Sequence, residues 1–442
     1  MNRSFHMIGY RSRAGIRSRR SSFRRLAPAV AATLLAMSTL VPAADITSTW
    51  IGNEGSWMDP TQWKNTPPMP GYPDNNRGSL TYDAALPGSS LVTISGVSIA
   101  VDTLNVAGEL AVSDAAELTV LRGLALDGGR ITLGGNGGPN TWLLIRGTQT
   151  LSGTGEIRFW ANPSSNNCYL ASPAGDLTIG SGVALRSVRG HAAIAGGIGL
   201  LPYPYAIHNE GTISAGAPGQ ALNIVGTAWT NSGLIESVNN SFLVLHGTWS
   251  NTGVIDVNSW LFVDGTQAGR DVAYEQVIDQ LRGARNAKWA ATGITSSAAR
   301  SDPSGMTGLA AILNDNGDGA PIFTHFASGT QAATEDFTIV KYTWNGDANL
   351  DGIVNADDYF LADSGYITQK KGWYNGDFNY DGIINADDYF LIDSAYIAQS
   401  AVLWHSHSPI PIPEPAFLSC FAVAALFALT RRYPRTRCPH PV

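Results

Sequence analysis

Between residues 207 and 265 one short pattern occurs three times, as IHNEGTISA from Ile207, WTNSGLIES from Trp229 and WSNTGVIDV from Trp249. The shared core is Asn-x-Gly-x-Ile, at Asn209/Gly211/Ile213, Asn231/Gly233/Ile235 and Asn251/Gly253/Ile255, with steps of 22 and 20 residues. Each copy carries a second apolar burst: ALNIVGT, FLVLHGT and LFVDGT. A unit of about twenty residues cannot bury its own apolar face, so the copies have to stack. The pattern predicts a mainly β protein built as a parallel β-solenoid (β-helix) of short strands over residues 45–270. A β-sandwich or jelly roll is the alternative, since it also uses many short strands. The repeated Asn is suited to a side-chain ladder between copies, and the repeated Gly to a corner with positive φ.

The chain upstream is consistent with this. Bursts such as LVTIS, IAVDTLNV, ITL and WLLI are short apolar or alternating runs with a Gly within two residues after each, the signature of strands with tight turns. Trp50, Trp57 and Trp63 lie among turn residues near the start. They suit a cap on the first exposed turn, or a platform for sugar rings. Residues 271–340 break the pattern and read as a connector. Val277, Ile278 and Leu281 within it have helical spacing.

Both ends read as processing signals. Residues 1–44 hold eight Arg and no acid in the first 25 positions, then an apolar run, then small residues, which is the layout of a secretory signal peptide. After a linker at 403–412, residues 413–437 hold Pro413-Glu414-Pro415, an apolar segment and an Arg cluster. This order resembles the PEP-CTERM sorting signal of exported bacterial proteins, and implies transient membrane contact through the C-terminal segment. The ends hold twelve of the 28 Lys and Arg. The remaining sixteen face 35 acids, a net charge near −19. Such a surface argues against a nucleic-acid partner and favours divalent cations. With Cys420 and Cys438 in the tail, Cys168 is left alone and reads as a small buried apolar residue.

The acids are concentrated in one duplicated stretch. NGDANLDGIVNADDYFLADS begins at Asn345, and NGDFNYDGIINADDYFLIDS at Asn375. An EF-type loop takes oxygen ligands at positions 1, 3, 5, 7, 9 and 12, with Gly at 6. With Asp347 as position 1, the first loop supplies Asn349, Asp351, the carbonyl of Ile353, Asn355 and Asp358, and Gly352 falls at 6. The second supplies Asp377, Asn379, Asp381, the carbonyl of Ile383, Asn385 and Asp388, with Gly382 at 6. Calcium is a hard cation that prefers six to eight oxygens at ~2.3–2.6 Å, which this ligand set can provide. Two Ca2+ sites are therefore expected. Val354 and Ile384, at position 8, are expected to meet in a short β-bridge. Phe360, Leu361 and Ile367 recur at helical spacing after the first loop, and Phe390, Leu391 and Ile397 after the second.

Two half EF-hands with Asp at position 12 and no helix before either loop resemble the type I dockerin domain. The resemblance covers roughly residues 345–400, within a domain expected over residues 341–402. It implies a small α-helical calcium module that attaches a protein to a scaffold, and a link to polysaccharide degradation. Two departures argue against a cohesin-type partner. Ala356-Asp357 and Ala386-Asp387 stand where the family often has small hydroxylated residues, and the helices lack a basic pair. The expected function is an exported, non-catalytic cell-surface or extracellular-matrix protein with a calcium-binding module. The alternative is a polysaccharide-degrading or carbohydrate-binding protein. An extracellular polysaccharide or a surface protein is the expected partner. Asp176, Glu210, Glu236, Asp256 and Asp264 are spread along the β region, and no catalytic motif is present.

Overall fold

The computed structural model describes residues 43–137, 140–164, 167–195, 205–315, 317, 319–399 and 410–411. Apart from 43–44 and 410–411, the segments read as signal peptide, linker and sorting signal lie outside the described residues.

Alternating apolar residues form strands, and most strands pair in parallel with one that follows at a distance in sequence. Eight of them are β1 (Glu117–Leu133), β2 (Thr141–Ile145), β3 (Gln149–Trp160), β4 (Cys168–Ala171), β5 (Leu177–Ile179), β6 (Ala192–Ala195), β7 (Ile207–Asn209) and β8 (Ala221–Asn231). Their hydrogen-bonded order is β1–β2–β4–β6–β8–β7–β5–β3 and back to β1, parallel at every step. This closed eight-stranded parallel β-barrel corrects the expected β-solenoid. The reason is strand length. A solenoid needs every strand short and every copy a separate layer. Instead β1, β3 and β8 have 17, 12 and 11 residues. A strand that long meets different neighbours at its two ends. Residues 222–225 of β8 pair with β6, and residues 229–231 with β7. Long strands thereby join ladders that short ones would leave apart. The interior is apolar, with Leu118, Leu143, Ile157, Leu170, Ile194 and Ile224 fully buried.

Pairing continues beyond the ring, and antiparallel strands close both edges. On one side Ser98–Val106 pairs with β1, Tyr82–Leu86 with Ser98–Val106, and Ile46–Trp50 with Tyr82–Leu86. Trp63–Thr66 then runs antiparallel to Ile46–Trp50. On the other side Phe242–Asn251 follows β8, and Trp260–Asp264 follows it in turn. Phe337–Trp344 lies antiparallel to Trp260–Asp264 and also to Thr307–Leu313. Such covers blunt the outer strands of these two ladders against pairing with another chain.

The tryptophans of the first cover are structural. Trp50, Trp57 and Trp63 are at most 6% exposed. Trp63 meets both others edge-on, at ring-centroid distances of 5.3 and 4.7 Å. The Trp57 indole N–H donates to Pro73 O at 2.9 Å and that of Trp63 to Trp57 O at 2.8 Å. Buried this way, they form a cap and offer no platform to a sugar.

The three-copy repeat is in register. Asn209, Asn231 and Asn251 are aligned across adjacent strands. Asn209 Nδ2 donates to Asn231 Oδ1 at 2.7 Å, and Asn231 Nδ2 to Asn251 Oδ1 at 2.8 Å. The ladder ends on helix α1 (Arg270–Asn286), where Asn251 Nδ2 donates to Gln280 Oε1 at 2.9 Å. That helix buries Val277, Ile278 and Leu281, as their spacing predicts. The repeated glycines serve a different purpose from the expected one. Gly211, Gly233 and Gly253 do not have positive φ. A Cβ on Gly233 would sit 2.2 Å from Gly211 O, and one on Gly253 would sit 2.3 Å from Gly233 O. Close approach of successive backbones, rather than a left-handed corner, excludes a side chain there.

Helix α2 (Ser297–Ser301) is a single short turn, and α3 (Ala356–Thr368) and α4 (Ala386–Ala398) follow the two acidic loops. The helices that follow the two loops share the interior of the strands. Val354, Ala362, Phe378, Ile392 and Ala395 belong to one continuous apolar core with the strands.

Candidate metal centre: the paired acidic loops

Each acidic loop is wound by its own side chains. In the first, Asn349 Oδ1 accepts from Asp351 N at 2.9 Å, Asp351 Oδ1 from Ile353 N at 2.9 Å, and Asn355 Oδ1 from Asp357 N at 2.7 Å. In the second, Asn379, Asp381 and Asn385 do the same for Asp381, Ile383 and Asp387 at 2.8, 2.9 and 2.7 Å. Gly352 and Gly382 have φ of 94° and 85°, so position 6 requires Gly in both loops.

Position 12 closes each loop onto its helix. Asp358 accepts from Ala348 N, Asn349 N and Asn355 N at 2.8, 3.2 and 2.9 Å. Asp388 accepts from Phe378 N, Asn379 N and Asn385 N at 2.8, 3.2 and 3.0 Å. Asn355 with Asp358, and Asn385 with Asp388, also form reciprocal capping boxes at the starts of α3 and α4. Positions 9 and 12 therefore have a helix-capping role of their own.

Position 1 is different. Asp347 is fully buried and Asp377 is 3% exposed. One oxygen of each accepts a backbone N–H, from Gly352 at 2.9 Å and from Gly382 at 3.1 Å. The other oxygen, Oδ1 in both, is buried without a hydrogen-bond partner. A buried carboxylate oxygen left unpaired is costly, and here the same atom is left so in both copies. Burial raises the pKa of Asp347, Asp377 and Asp388, and pushes Asp358 up to about 7, with neighbouring Asp347 adding to the effect.

Every expected ligand thus lies on its own loop, and the loop carbonyls of Ile353 and Ile383 remain part of the set. Among the described residues, however, no three His, Cys, Asp or Glu side chains converge as an assembled metal cluster.

Several partners of the loops were not foreseen. Lys341 is 1% exposed; its ammonium donates to Leu350 O at 2.7 Å and lies 3.7 Å from Asp347 Oδ2. The Thr343 hydroxyl donates to the same Asp347 oxygen. Trp373 Nε1 donates to Asp347 O at 2.7 Å, and Arg282 Nε to Tyr380 O at 2.9 Å. The expected bridge between Val354 and Ile384 does not form. Instead Gln399, just beyond α4, satisfies Val354 on both sides, accepting its N–H at 2.8 Å and donating to its carbonyl at 2.5 Å. The one signal for these contacts in the sequence is a Lys six residues before position 1 in both copies, Lys341 and Lys371.

Several of the scattered polar residues of the β region have structural partners. Glu236 pairs with Arg186 at 3.4 Å, Asp256 caps α2 by accepting from Ser297 N at 2.7 Å, and Asp264 bonds His246 at 2.9 Å. His191 accepts from Ala221 N at 3.1 Å and contacts Thr330 Oγ1 at 3.0 Å. Among the described residues no helix is long and apolar enough to cross a membrane.

Searches against family models, curated proteins and solved structures found no match to this chain.

Proposed function

We propose that the chain is an exported, non-catalytic surface or extracellular protein whose paired acidic loops, similar to those of dockerins, bind two Ca2+ ions. The observation that carries this reading is the unpartnered, buried Oδ1 of both Asp347 and Asp377. A bound cation would engage these atoms together with Asn349, Asp351, Ile353 O, Asn355 and Asp358 in one loop, and Asn379, Asp381, Ile383 O, Asn385 and Asp388 in the other. It would supply charge neutralisation to carboxylates that burial disfavours, and would tie each loop to its helix. Export rests on the residues at the two ends and their resemblance to processing signals.

A second reading, that α3 and α4 dock the protein to a partner, draws on the exposed face of the helices. Phe360, Ile367, Phe390 and Ile397 are between 68% and 83% exposed. Apolar surface of this kind marks contact sites. The helices are locked as a pair by Tyr359 donating to Asp393 at 2.6 Å and Tyr389 to Asp363 at 2.5 Å. The occupant would be a surface protein or a polysaccharide-associated scaffold.

Calorimetric titration of chelator-treated full chain with CaCl2 tests the calcium reading. Two equivalents of saturable uptake, lost in Asp347→Asn/Asp377→Asn, are expected. A protein that takes up no calcium and melts at the same temperature with and without it refutes the reading.

A further inference from the structure

The two loops carry the same ligand types at the same positions, yet the structure surrounds them differently. Lys341 and Lys371 stand six residues before position 1 in their copies. Lys371 is exposed on the turn before the second loop. Lys341 lies on the Phe337–Trp344 strand, in register with Trp260 on one side and Ala310 on the other. That position drives its side chain inward. Its ammonium lies 4.8 Å from the centroid of the Trp260 ring, donates to Leu350 O and stands 3.7 Å from Asp347.

The second loop has no counterpart at that distance. Its corresponding carbonyl, Tyr380 O, accepts from Arg282, a half-exposed side chain that is also paired with Asp279 at 2.8 Å. Arg285 is near as well and its charge is felt by Asp388 and Asp377, but it stands farther off than an ion pair and its guanidinium donates to Asn345 Oδ1 at 3.2 Å. Among the described residues, no ion pair within 4 Å joins any cation to Asp377, Asp381 or Asp388.

We infer that Lys341 is a built-in cation of the first loop that sets its affinity for a divalent ion below that of the second. This rests on the calcium reading of both loops. A positive charge held in a water-poor interior repels a second cation brought to the same carboxylate. The same ammonium keeps the first loop assembled by gripping Leu350 O when no metal is bound.

Terbium luminescence and calorimetry on the full chain test this. Two steps at least tenfold apart in Kd are expected for the unaltered protein. Asp377→Asn should remove the tight step and Asp347→Asn the weak one. Lys341→Met should tighten the weak step at least tenfold, with the tight step unchanged. If Lys341→Met fails to fold, the two Asp variants still decide the order of the sites. Equal affinities, or a tight step that belongs to Asp347, overturn the inference and leave the calcium reading standing. No saturable uptake at all removes both.

Discussion

Replacing Asn231 with Ala should destabilise the protein by about 3–4 kcal/mol, and the ladder geometry gives the reasons. Asn231 is 1% exposed. Its side chain accepts from Asn209 at 2.7 Å and donates to Asn251 Oδ1 at 2.8 Å and to Val254 O at 3.1 Å. Each such bond contributes about 1 kcal/mol net. Asn209 Nδ2 would keep Leu234 O at 3.1 Å, so its loss is partly offset. Asn251 Oδ1 would lose its donor in a half-buried position, at a further cost of about 1 kcal/mol. The measurement is guanidinium unfolding followed by tryptophan fluorescence. Trp229 and Trp249 stack at 5.6 Å two residues before Asn231 and Asn251 and so report on this part of the sheet. Asn231→Ala/Asn251→Ala should cost at least about 0.5 kcal/mol less than the two single changes added together, because they share a bond. A single-variant loss below about 1 kcal/mol, with additive behaviour in the double variant, would show that the ladder contributes register but little stability.

Further tests address other elements. Gly233→Ala should cost about 1–3 kcal/mol in the same unfolding assay, since its Cβ would sit 2.2 Å from Gly211 O; an unchanged midpoint would contradict the close-approach argument. Cys168 is fully buried, and burial pushes its thiol up to about 12. In a Cys420→Ser/Cys438→Ser background it should resist alkylation at pH 8 until the chain is unfolded, and rapid native labelling would count against that. Asp358 has a folded pKa of about 7, above the ordinary 3.8. A raised carboxylate pKa means that the folded state holds the proton more tightly. Its contribution is therefore fully present below about pH 3.8 and is lost as pH rises towards 7. In chelator, thermal stability should fall over that window, and Asp358→Asn should flatten the slope; an identical slope in the variant would assign the effect to other groups.

The sequence by itself determined the local pieces. Apolar alternation specified strands, because a pleated strand puts every second residue on one face. The spacing of Val277, Ile278 and Leu281 specified α1. The two acidic stretches specified loops with Gly at position 6 and a helix after each, because these depend on contacts within a dozen residues. The in-register Asn ladder was legible from the repeat alone.

Only the tertiary structure decided how the pieces join. The lengths of β1, β3 and β8, hence the closure of the barrel, depend on partners on both sides of each strand, which no local pattern records. The role of Gly233 changed because the atom it must avoid, Gly211 O, belongs to another strand. Tertiary contacts also separated two loops that are nearly identical as sequence. Lys341 and Lys371 occupy the same place in the repeat, but one lies on a strand flanked on both sides and the other on an exposed turn. The buried lysine beside Asp347 follows from that difference in surroundings, since a side chain's electrostatic effect is set by what excludes water around it.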